Sequence, residues 1–373
     1  MKVALIHDHL AQMGGAEKVL QVLTEMFLDA PVYTFLYEKE NIEKNFPNIH
    51  IKSSIIQKLP GSVKHYKWYM PFMPMAVEFF DLTDYDLVIS NTSSFAKGVI
   101  TNSECLHICY CHTPTRYLWS NTHQYINELK YNKYFKKIIS LVLNYVRIWD
   151  KAAADRVDFY IANSKTVQKR IKKYYRRDST IIYPSIEENQ FYISEKQGDY
   201  FLTGCRLVPY KRNDIVIEAF KKLNLESEKK YKLKIFGDGI DMERLKKITG
   251  NDKNIEFLGR VTDKERNKLF SECKAFINPQ REDFGITIVE AMASGRPVIA
   301  LNQGGAKETV LEGETGIFFD NENPEAIASA IKKFPNIAWS PYKIREYALR
   351  FSKSRFKQEV KDFINKKMKE YVL

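Results

Sequence analysis

The stretch from Asn278 to Val298 constrains the fold of this chain most strongly. Directly before this stretch, the apolar run Ala275–Ile277 predicts a buried strand that ends at Pro279. A polar loop follows, then a short helix, roughly Thr287–Ser294, after which Gly295 suits a left-handed residue just past a helix end. Val298–Leu301 predicts the next buried strand. This order predicts a parallel sheet, whose ligands sit at the C-terminal strand ends, facing helix N-termini.

Two carboxylates, Glu282 and Glu290, lie in this unit with seven residues between them. Glu282 is predicted on the loop. Glu290 is predicted in the first turn or so of the helix, where the helix dipole favours an ionised carboxylate. Ionised acceptors beside helix N–H groups suit a ligand with both hydroxyls and phosphate. The alternative is that Glu290 only stabilises its helix end and that Glu282 is solvated.

The sequence around this pair resembles the signature of family 4 glycosyltransferases with the GT-B fold. The resemblance includes Glu282-x7-Glu290, the intervening Phe284-Gly285, and the run Glu-Ala-Met-Ala-Ser-Gly-Arg-Pro-Val-Ile-Ala that starts at Glu290. Together with Gly304–Val310, the stretch is similar to the branch containing bacterial O-antigen mannosyltransferases. The resemblance implies an α/β chain of two doubly wound, Rossmann-like domains facing across a cleft.

The length of 373 residues accommodates two domains of ordinary size. A polar connection from Pro184 to about Asp199 separates two halves that each begin with a strand and a helix. We therefore expect an N-terminal, acceptor-side domain over residues 1–184 and a nucleotide-sugar-binding domain over residues 185–350. By resemblance to the family, residues 351–373 form a terminal helix that packs back on the first domain.

A glycine pair follows the first predicted strand, Lys2–His7, and precedes a predicted helix, Ala16–Phe27. Gly14 and Gly15 let the backbone pass close to a ligand, although they do not form a Gly-x-Gly-x-x-Gly motif. The alternative is a tight turn without a ligand. In the family, a glycine loop at this place borders the donor diphosphate and the acceptor, so the resemblance implies this role for Gly14 and Gly15.

His112 comes directly after another predicted strand, Leu106–Tyr110, again at a C-terminal strand end. A single histidine is usually structural. The segment Cys111–Trp119 resembles the family segment whose histidine contacts the transferred sugar. The resemblance therefore implies that His112 contacts the sugar, without making it a base. We also expect Arg116 to meet an anionic acceptor.

Arg206 and Lys211 follow the first strand of the second half, Tyr200–Gly204. Two fixed cations at a strand end suit a diphosphate leaving group, because they neutralise its charge as the glycosidic bond breaks. The alternative is a solvated basic loop. The family has an Arg-x4-Lys pair here, which implies that Arg206 and Lys211 bind the diphosphate and that no metal and no cofactor are needed.

The remaining donor contacts are also implied by the resemblance. Glu282, with the amides near Phe284, Gly285 and Ile286, is expected to hold the sugar hydroxyls, and Glu290 the ribose hydroxyls. Asp283 is expected to be a donor-binding residue as well. After the predicted strand Ile255–Leu258, the loop containing Arg260 and Val261 is expected to contact the nucleobase, largely through backbone groups.

The formal net charge is +12, and the excess of positive charge is concentrated between Lys130 and Arg177, a segment that contains fourteen Lys and Arg but only three Asp. Within this region, Leu129–Asp155 predicts one or two basic amphipathic helices. Such a region suits an anionic membrane surface, nucleic acid, or only solvent. It lacks a nucleic-acid recognition motif, so we expect contact with an anionic membrane and none with nucleic acid. The aromatic segment Tyr66–Phe80 predicts either a membrane-touching element or a core helix with a proline break.

No run of about 18 apolar residues predicts a membrane-spanning helix. The five cysteines are expected to be reduced thiols, and the spacing of Cys109 and Cys111 disfavours a metal site. We therefore expect a cytoplasmic protein, peripheral at the inner face of the cytoplasmic membrane.

The resemblance to the family implies a retaining, metal-independent glycosyltransferase. The resemblance favours transfer of mannose from GDP-mannose to a lipid-linked or oligosaccharide acceptor in surface polysaccharide synthesis. Ile288 and Met292 depart from residues that the mannosyltransferase branch often has there, but neither change removes a ligand group. The alternatives are the same chemistry with a UDP-sugar, and a nucleotide-sugar epimerase of the GT-B fold.

Overall fold

The computed structural model describes residues 1–129 and 131–372. Lys130, the first residue of the predicted basic region, lies outside the described residues. Residues 1–184 and 356–373 form one compact unit, here called the first unit, and residues 185–355 form the second unit.

The described residues form two parallel sheets. The strands of the first sheet are β1 (Val3–His7), β2 (Val32–Thr34), β3 (Ile51–Ser53), β4 (Leu87–Thr92), β5 (Leu106–Cys111), β6 (Phe159–Ala162) and β7 (Ser179–Ile181). The strands of the second sheet are β8 (Phe201–Gly204), β9 (Leu233–Phe236), β10 (Ile255–Gly259), β11 (Phe276–Asn278), β12 (Val298–Leu301) and β13 (Gly316–Phe319).

Helices connect these strands. The α-helices of the described residues are α1 (Gly15–Met26), α2 (Lys39–Asn45), α3 (Met73–Glu78), α4 (Thr122–Glu128), α5 (Lys133–Asp155), α6 (Lys165–Arg170), α7 (Asn213–Glu226), α8 (Met242–Thr249), α9 (Asp263–Glu272), α10 (Ile286–Ala293), α11 (Ala306–Thr309), α12 (Pro324–Lys333), α13 (Pro341–Leu349) and α14 (Lys353–Val372). Residues 171–175 continue α6 as one π-helical turn.

Both sheets are doubly wound. The strand order is β3-β2-β1-β4-β5-β6-β7 in the first sheet and β10-β9-β8-β11-β12-β13 in the second. In each sheet the order reverses beside the first strand, between β1 and β4 and between β8 and β11. The prediction of two doubly wound α/β halves is therefore confirmed, and the reversal points are where such sheets bind ligands.

The cores follow from this architecture, because helices cover both faces of a parallel sheet. All six residues of β4 and all six of β5 are buried. In the first unit, α14 contributes to the core through Phe356, Val360, Phe363 and Ile364, which pack with residues of β1, β4 and α1. In the second unit, α7 and α12 pack over β8, β9 and β12.

The aromatic segment Tyr66–Phe80 forms a 3₁₀ helix over Tyr66–Phe72 and then α3. Met73 and Val77 lie in the core, as the core-helix interpretation requires, whereas Trp68 and Phe79 are largely exposed. Within residues 1–129 and 131–372, no helix combines the length and the apolar character that crossing a bilayer requires.

Candidate active site

The candidate site of the second unit lies at the reversal point of its sheet. One loop follows β8 and contains Arg206 and Lys211. Another follows β11 and contains Glu282 and Asp283. Because β8 and β11 are parallel neighbours, both loops leave the same edge of the sheet.

Lys211 and Glu282 join these two loops. The Lys211 ammonium donates a short hydrogen bond to Oε1 of Glu282, and the two side chains are only 14% and 18% exposed. Nε2 of Gln280 donates to the same oxygen at 2.7 Å. Burial alone would lower the pKa of Lys211, but the charge and hydrogen bond of Glu282, together with the nearby Cys205 and Tyr210, raise this pKa above its ordinary value. Lys211 is therefore a fixed cation, with a carboxylate beside it.

Arg206 lies on the same loop but is exposed. Its guanidinium donates from Nη2 to the hydroxyl of Tyr210 at 3.2 Å. The backbone then turns at Arg212, which adopts a left-handed conformation (φ 52°) and begins α7. The two residues predicted to bind the diphosphate are thus one largely buried cation, Lys211, and one exposed cation, Arg206, on a single short loop.

A second glycine pair supports the loop that contains Glu282. The N–H of Gly305 donates to the carbonyl oxygen of Glu282 at 2.9 Å. A Cβ on Gly304 would overlap that oxygen, and a Cβ on Gly305 would overlap the carbonyl oxygen of Phe284. The structure shows that both glycines allow a close backbone approach, which holds residues 282–284 in place.

Helix α10 begins directly after this loop. Gly285 precedes it in a left-handed conformation (φ 88°), and the ring of Phe284 packs edge-on against Phe351 with centroids 5.5 Å apart. Asp283 is half-buried, and Ile286 opens the first turn, in which the N–H of Ile288 donates to the carbonyl oxygen of Gly285 at 3.0 Å. The helix ends at Ala293, and Gly295 follows in the predicted left-handed conformation (φ 73°), its N–H donating to the carbonyl oxygen of Met292 at 2.8 Å.

Glu290 corrects one prediction. It is the fifth residue of α10, so it lies in the second turn and not in the first, and it is only 2% exposed. Its Oε1 is 3.9 Å from Nη2 of Arg266 on α9, and Arg266 also pairs with Asp263 at 2.7 Å. The carboxylate therefore faces a cation of the protein itself.

The loop after β10 contains Arg260, which is exposed, and Val261. It lies beside the loop after β9, because the N–H of Gly237 donates to the carbonyl of Gly259 at 2.7 Å. A Cβ on Gly237 would overlap the carbonyl oxygen of Cys205. The loops after β8, β9 and β10 therefore contact one another through backbone groups, at the edge where the donor was predicted.

In the first unit, Gly14 and Gly15 start α1 after the loop that follows β1. Gly14 is extended, and a Cβ there would lie 3.0 Å from Oε2 of Glu17. Glu17 is buried beneath this loop, with Oε1 3.5 Å from Nε2 of His7, at the outer limit of a hydrogen bond. The glycine pair therefore covers a buried acid–base pair that sequence reasoning did not identify.

His112 belongs to a hydrogen-bonded group at the ends of β1, β4 and β5. Its Nε2 lies 2.7 Å from Oδ1 of Asn91. Nδ2 of Asn91 donates to the carbonyl of Ala16 at 2.8 Å, and the carbonyl of Asn91 is 2.8 Å from Nδ1 of His7. Asn91 thus connects His112 to the glycine loop through hydrogen bonds. The sequence signal that could have found Asn91 is its position at the end of a buried strand.

Arg116 lies on the loop after His112, and helix α5 fixes this loop. Asp150 of α5 accepts from the Thr115 hydroxyl at 3.1 Å and from the Trp119 indole N–H at 2.7 Å. It also forms a fully buried ion pair with Lys97 at 2.5 Å. The inward face of α5 therefore determines the path of the backbone around Arg116.

Comparison with known families decides what kind of protein has these two units. A model of glycosyltransferase family 4 matches residues 13–190, and a model of the group 1 glycosyl transferases matches residues 185–351. The chain belongs to the family 4 glycosyltransferases. The predicted resemblance is confirmed, and both matched regions contain residues predicted to bind ligands.

Several curated proteins are similar to this family 4 glycosyltransferase. The uncharacterized glycosyltransferase MJ1178 of Methanocaldococcus jannaschii is 29% identical over 51% of the chain and 53% of its own length. The alpha-1,3/1,6-mannosyltransferase ALG2 of Dictyostelium discoideum is 25% identical over 69% of each chain. The O-antigen chain mannosyltransferase RfbU of Salmonella typhimurium is 25% identical over 59% of the chain and 63% of its own length. The chain thus aligns with about half to two thirds of these relatives.

Among solved structures, HepE of Anabaena in complex with UDP superimposes with a TM-score of 0.71. The sequences are 20% identical, and the match covers 98% of this glycosyltransferase and all of HepE. At this identity the likeness shows the fold, which is GT-B.

The cysteines of this glycosyltransferase are free thiols, and Cys109 and Cys111 of β5 both belong to one core cluster. Throughout the part of the chain that the structure describes, no group of three or more His, Cys, Asp or Glu is arranged to hold a metal ion. The roles of the individual predicted residues stay predictions. The structure adds two contacts to them, that of Glu290 with Arg266 and that of His112 with Asn91.

Proposed function

We propose that this protein transfers mannose from GDP-mannose to a lipid-linked or oligosaccharide acceptor, with retention at the sugar. The observation that supports the proposal most directly is the Lys211–Glu282 pair at the reversal point of the second sheet. It provides a buried cation for phosphate and, next to it, an acceptor for sugar hydroxyls. The names of ALG2 and RfbU favour mannose as the sugar.

In the proposed reaction, the bond between the sugar C1 and the donor phosphate oxygen breaks, and a bond from C1 to the acceptor oxygen forms. The acceptor hydroxyl gives its proton to the departing phosphate. Lys211 and Arg206 stabilise the charge that develops on the diphosphate, so we propose that no metal is required. Glu282 and Asp283, with the amides of residues 284–286, orient the sugar.

Three further roles rest on resemblance to the family. His112 is proposed to contact the transferred sugar, with Asn91 fixing its ring through the 2.7 Å contact. Arg116 is proposed to meet an anionic acceptor. Glu290 is proposed to hold the ribose hydroxyls, although its carboxylate is buried and faces Arg266 at 3.9 Å.

A UDP-sugar is the second candidate donor, because HepE, whose fold matches over 98% of the chain, was solved with UDP. Arg260 and Val261 follow β10 in a loop expected to contact the base through its backbone, and a backbone contact favours neither base strongly. The two donors therefore need a direct comparison.

Calorimetry with GDP, UDP, GDP-mannose, UDP-glucose and UDP-N-acetylglucosamine tests the proposal. We expect GDP and GDP-mannose to bind selectively, and Lys211→Gln to weaken both. Lys333→Gln, a change at an exposed lysine of α12, is the matched control and should bind as the unchanged protein does. Selective binding of UDP compounds would overturn the GDP-mannose assignment, and binding of none would overturn the donor site.

We further propose that the enzyme works at the inner face of the cytoplasmic membrane, in synthesis of an O-antigen or a related surface polysaccharide. The net charge of +11 between Lys130 and Arg177 supports attraction to anionic lipid. Such a location would bring the protein to a lipid-linked acceptor. Transfer of radiolabelled mannose to a lipid extract, compared with the same extract after mild acid hydrolysis, tests the acceptor. Equal transfer to both would contradict a lipid-linked one.

A further inference from the structure

The outward face of α5 presents a stripe of large apolar side chains, here called the outer stripe. It consists of Tyr134, Ile138, Leu141, Tyr145 and Ile148, which are 55–71% exposed. Alternating steps of four and three residues keep them on one face of the helix, over about 21 Å at 1.5 Å per residue. The sequence predicted basic amphipathic helices in this region, with their apolar positions taken together. The structure divides these positions into an inward and an outward face.

The outer stripe is not needed to attach α5 to the protein. The opposite face does this through Leu143, Val146 and Ala153, which are almost fully buried, and through the buried Asp150–Lys97 ion pair. Five exposed apolar side chains on an already anchored helix form a contiguous apolar patch, and such patches mark interaction surfaces.

Charge along α5 indicates the kind of partner. At about 100° per residue, Lys133 and Lys137 lie along one flank of the outer stripe. Both lysines are exposed, and residues 133–149 include no Asp or Glu. Pairing of two copies through this face would place these lysines along one seam without a carboxylate from that stretch to neutralise them. An anionic lipid surface instead complements them.

We propose that the outer stripe of α5 inserts into the interface of an anionic bilayer, so that α5 lies along the membrane surface. Tyr134 and Tyr145 suit this position, because a tyrosine ring is apolar at its body and polar at its tip. This inference rests on the membrane location proposed above. The membrane location alone requires only attraction of the whole basic region to the lipid. Here the five side chains of the outer stripe also insert into the bilayer, with Lys133 and Lys137 beside lipid phosphates.

Vesicle flotation of the full chain tests the inference. The vesicles contain phosphatidylcholine alone, or phosphatidylcholine with about 30% phosphatidylglycerol. The test variant is Leu141→Ser/Ile148→Ser. The matched control is Leu225→Ser/Ile240→Ser, which removes the same two residue types at 88% and 87% exposed positions of the second unit. We expect the anionic vesicles to float the unchanged protein and the control, and to float the test variant about tenfold less.

Three outcomes would overturn the inference. If the test variant floats as well as the control, and about 0.5 M salt abolishes the flotation of both proteins, binding is electrostatic. The insertion of the outer stripe is then wrong, and only the proposed membrane location is supported. If the unchanged protein does not float, the membrane location fails as well. If the unchanged protein sediments as a dimer that the test variant dissociates, the partner is a second copy. Calorimetric donor binding, measured on the same samples, reports separately on the proposed transferase function.

Discussion

Lys211 and Glu282 form a largely buried ion pair that links the loop after β8 to the loop after β11. In the proposed donor complex, an incoming diphosphate shares the ammonium that Glu282 already holds. We therefore expect opposite effects of neutralising each partner. Lys211→Gln should weaken GDP binding by about 1.5–3 kcal/mol, the usual contribution of a hydrogen bond to a charged group. Glu282→Gln should strengthen GDP binding several-fold, because a competing negative charge is gone.

The same Glu282→Gln change should lower the rate of sugar transfer, since the proposed contact with sugar hydroxyls weakens. Calorimetry with GDP and initial rates with the full donor measure the two effects. If Glu282→Gln weakened GDP binding as much as Lys211→Gln does, the carboxylate would be holding the lysine in place for phosphate and would not be competing with it.

Gly305→Ala should displace the loop containing Glu282. The backbone of Gly305 is helical (φ −66°), so alanine fits its conformation, but a Cβ would overlap the carbonyl oxygen of Phe284. We expect a loss of about 1–3 kcal/mol in the free energy of unfolding, as for other overpacked sites, together with weaker donor binding.

Urea unfolding and calorimetry check this prediction. Gly250→Ala is the contrasting variant, because Gly250 has φ 62° and a Cβ there would meet nothing within 4 Å. It should cost about 1–3 kcal/mol through backbone strain alone, because alanine rarely adopts φ 62° with ψ −133°, and it should leave donor binding unchanged. Unaltered donor binding in Gly305→Ala would show that the glycine contact does not position the loop.

Glu290→Ala should destabilise the second unit as well as affect donor binding. The substitution leaves Arg266, whose side chain is only 17% exposed, without the carboxylate 3.9 Å away. We expect a loss of about 1–3 kcal/mol in the free energy of unfolding. Glu290→Ala combined with Arg266→Met should recover part of the stability.

Donor binding separates the two roles of Glu290. If the carboxylate contacts ribose, the double variant regains stability but not nucleotide affinity. Recovery of both would show that Glu290 acts only by packing and pairing with Arg266. Thermal unfolding and GDP calorimetry on the same preparations distinguish these results.

The buried His7–Glu17 pair predicts a pH window of stability. Burial alone would lower the pKa of His7, but contact with Glu17 raises it above its ordinary 6.5. Burial alone would raise the pKa of Glu17, but His7 lowers it below its ordinary 4.5. The contribution of His7 is fully present below pH 6.5 and is lost as pH rises through its raised pKa. The contribution of Glu17 is present above pH 4.5 and is lost as pH falls through its lowered pKa.

We therefore expect the stability difference between the unchanged protein and Glu17→Gln to be largest between pH 4.5 and 6.5 and to shrink on both sides. Urea unfolding across pH measures it. His9, whose pKa burial lowers, remains in both proteins, so most of its effect cancels in the difference. A difference that kept growing toward pH 9 would show that His7 is not charged in this pair.

Local sequence was sufficient for the strands and loops of the site. Val298–Leu301 was predicted with the bounds that the structure shows, because it is a short apolar run next to a turn signal. Gly295 was identified from its position after a helix. These features depend on neighbouring residues only.

The features that sequence did not reveal depend on distant residues. The contact of Glu290 with Arg266 was missed because α9 (Asp263–Glu272) is strongly polar and shows little helical periodicity. Sequence analysis did not separate the outer stripe from the buried face of α5. Periodicity identifies apolar positions, but it does not show which of them pack against the core and which stay exposed. The close approach of Gly304 and Gly305 to residues 282–284 requires knowing that β11 and β12 are neighbours.

The separation of the two ion-pair partners along the chain has a consequence for folding. Lys211 and Glu282 are 71 residues apart, and the strands that bring them together pair through Leu202 and Phe276. Contacts at such separations along the chain have a large entropic cost of loop closure, so during folding they form after the local helices and turns. Residues up to β10 can form three adjacent strands without creating the donor site. The site therefore exists only once the second sheet is continuous across β8 and β11, and a bound donor would stabilise that completed sheet over any shorter folded intermediate.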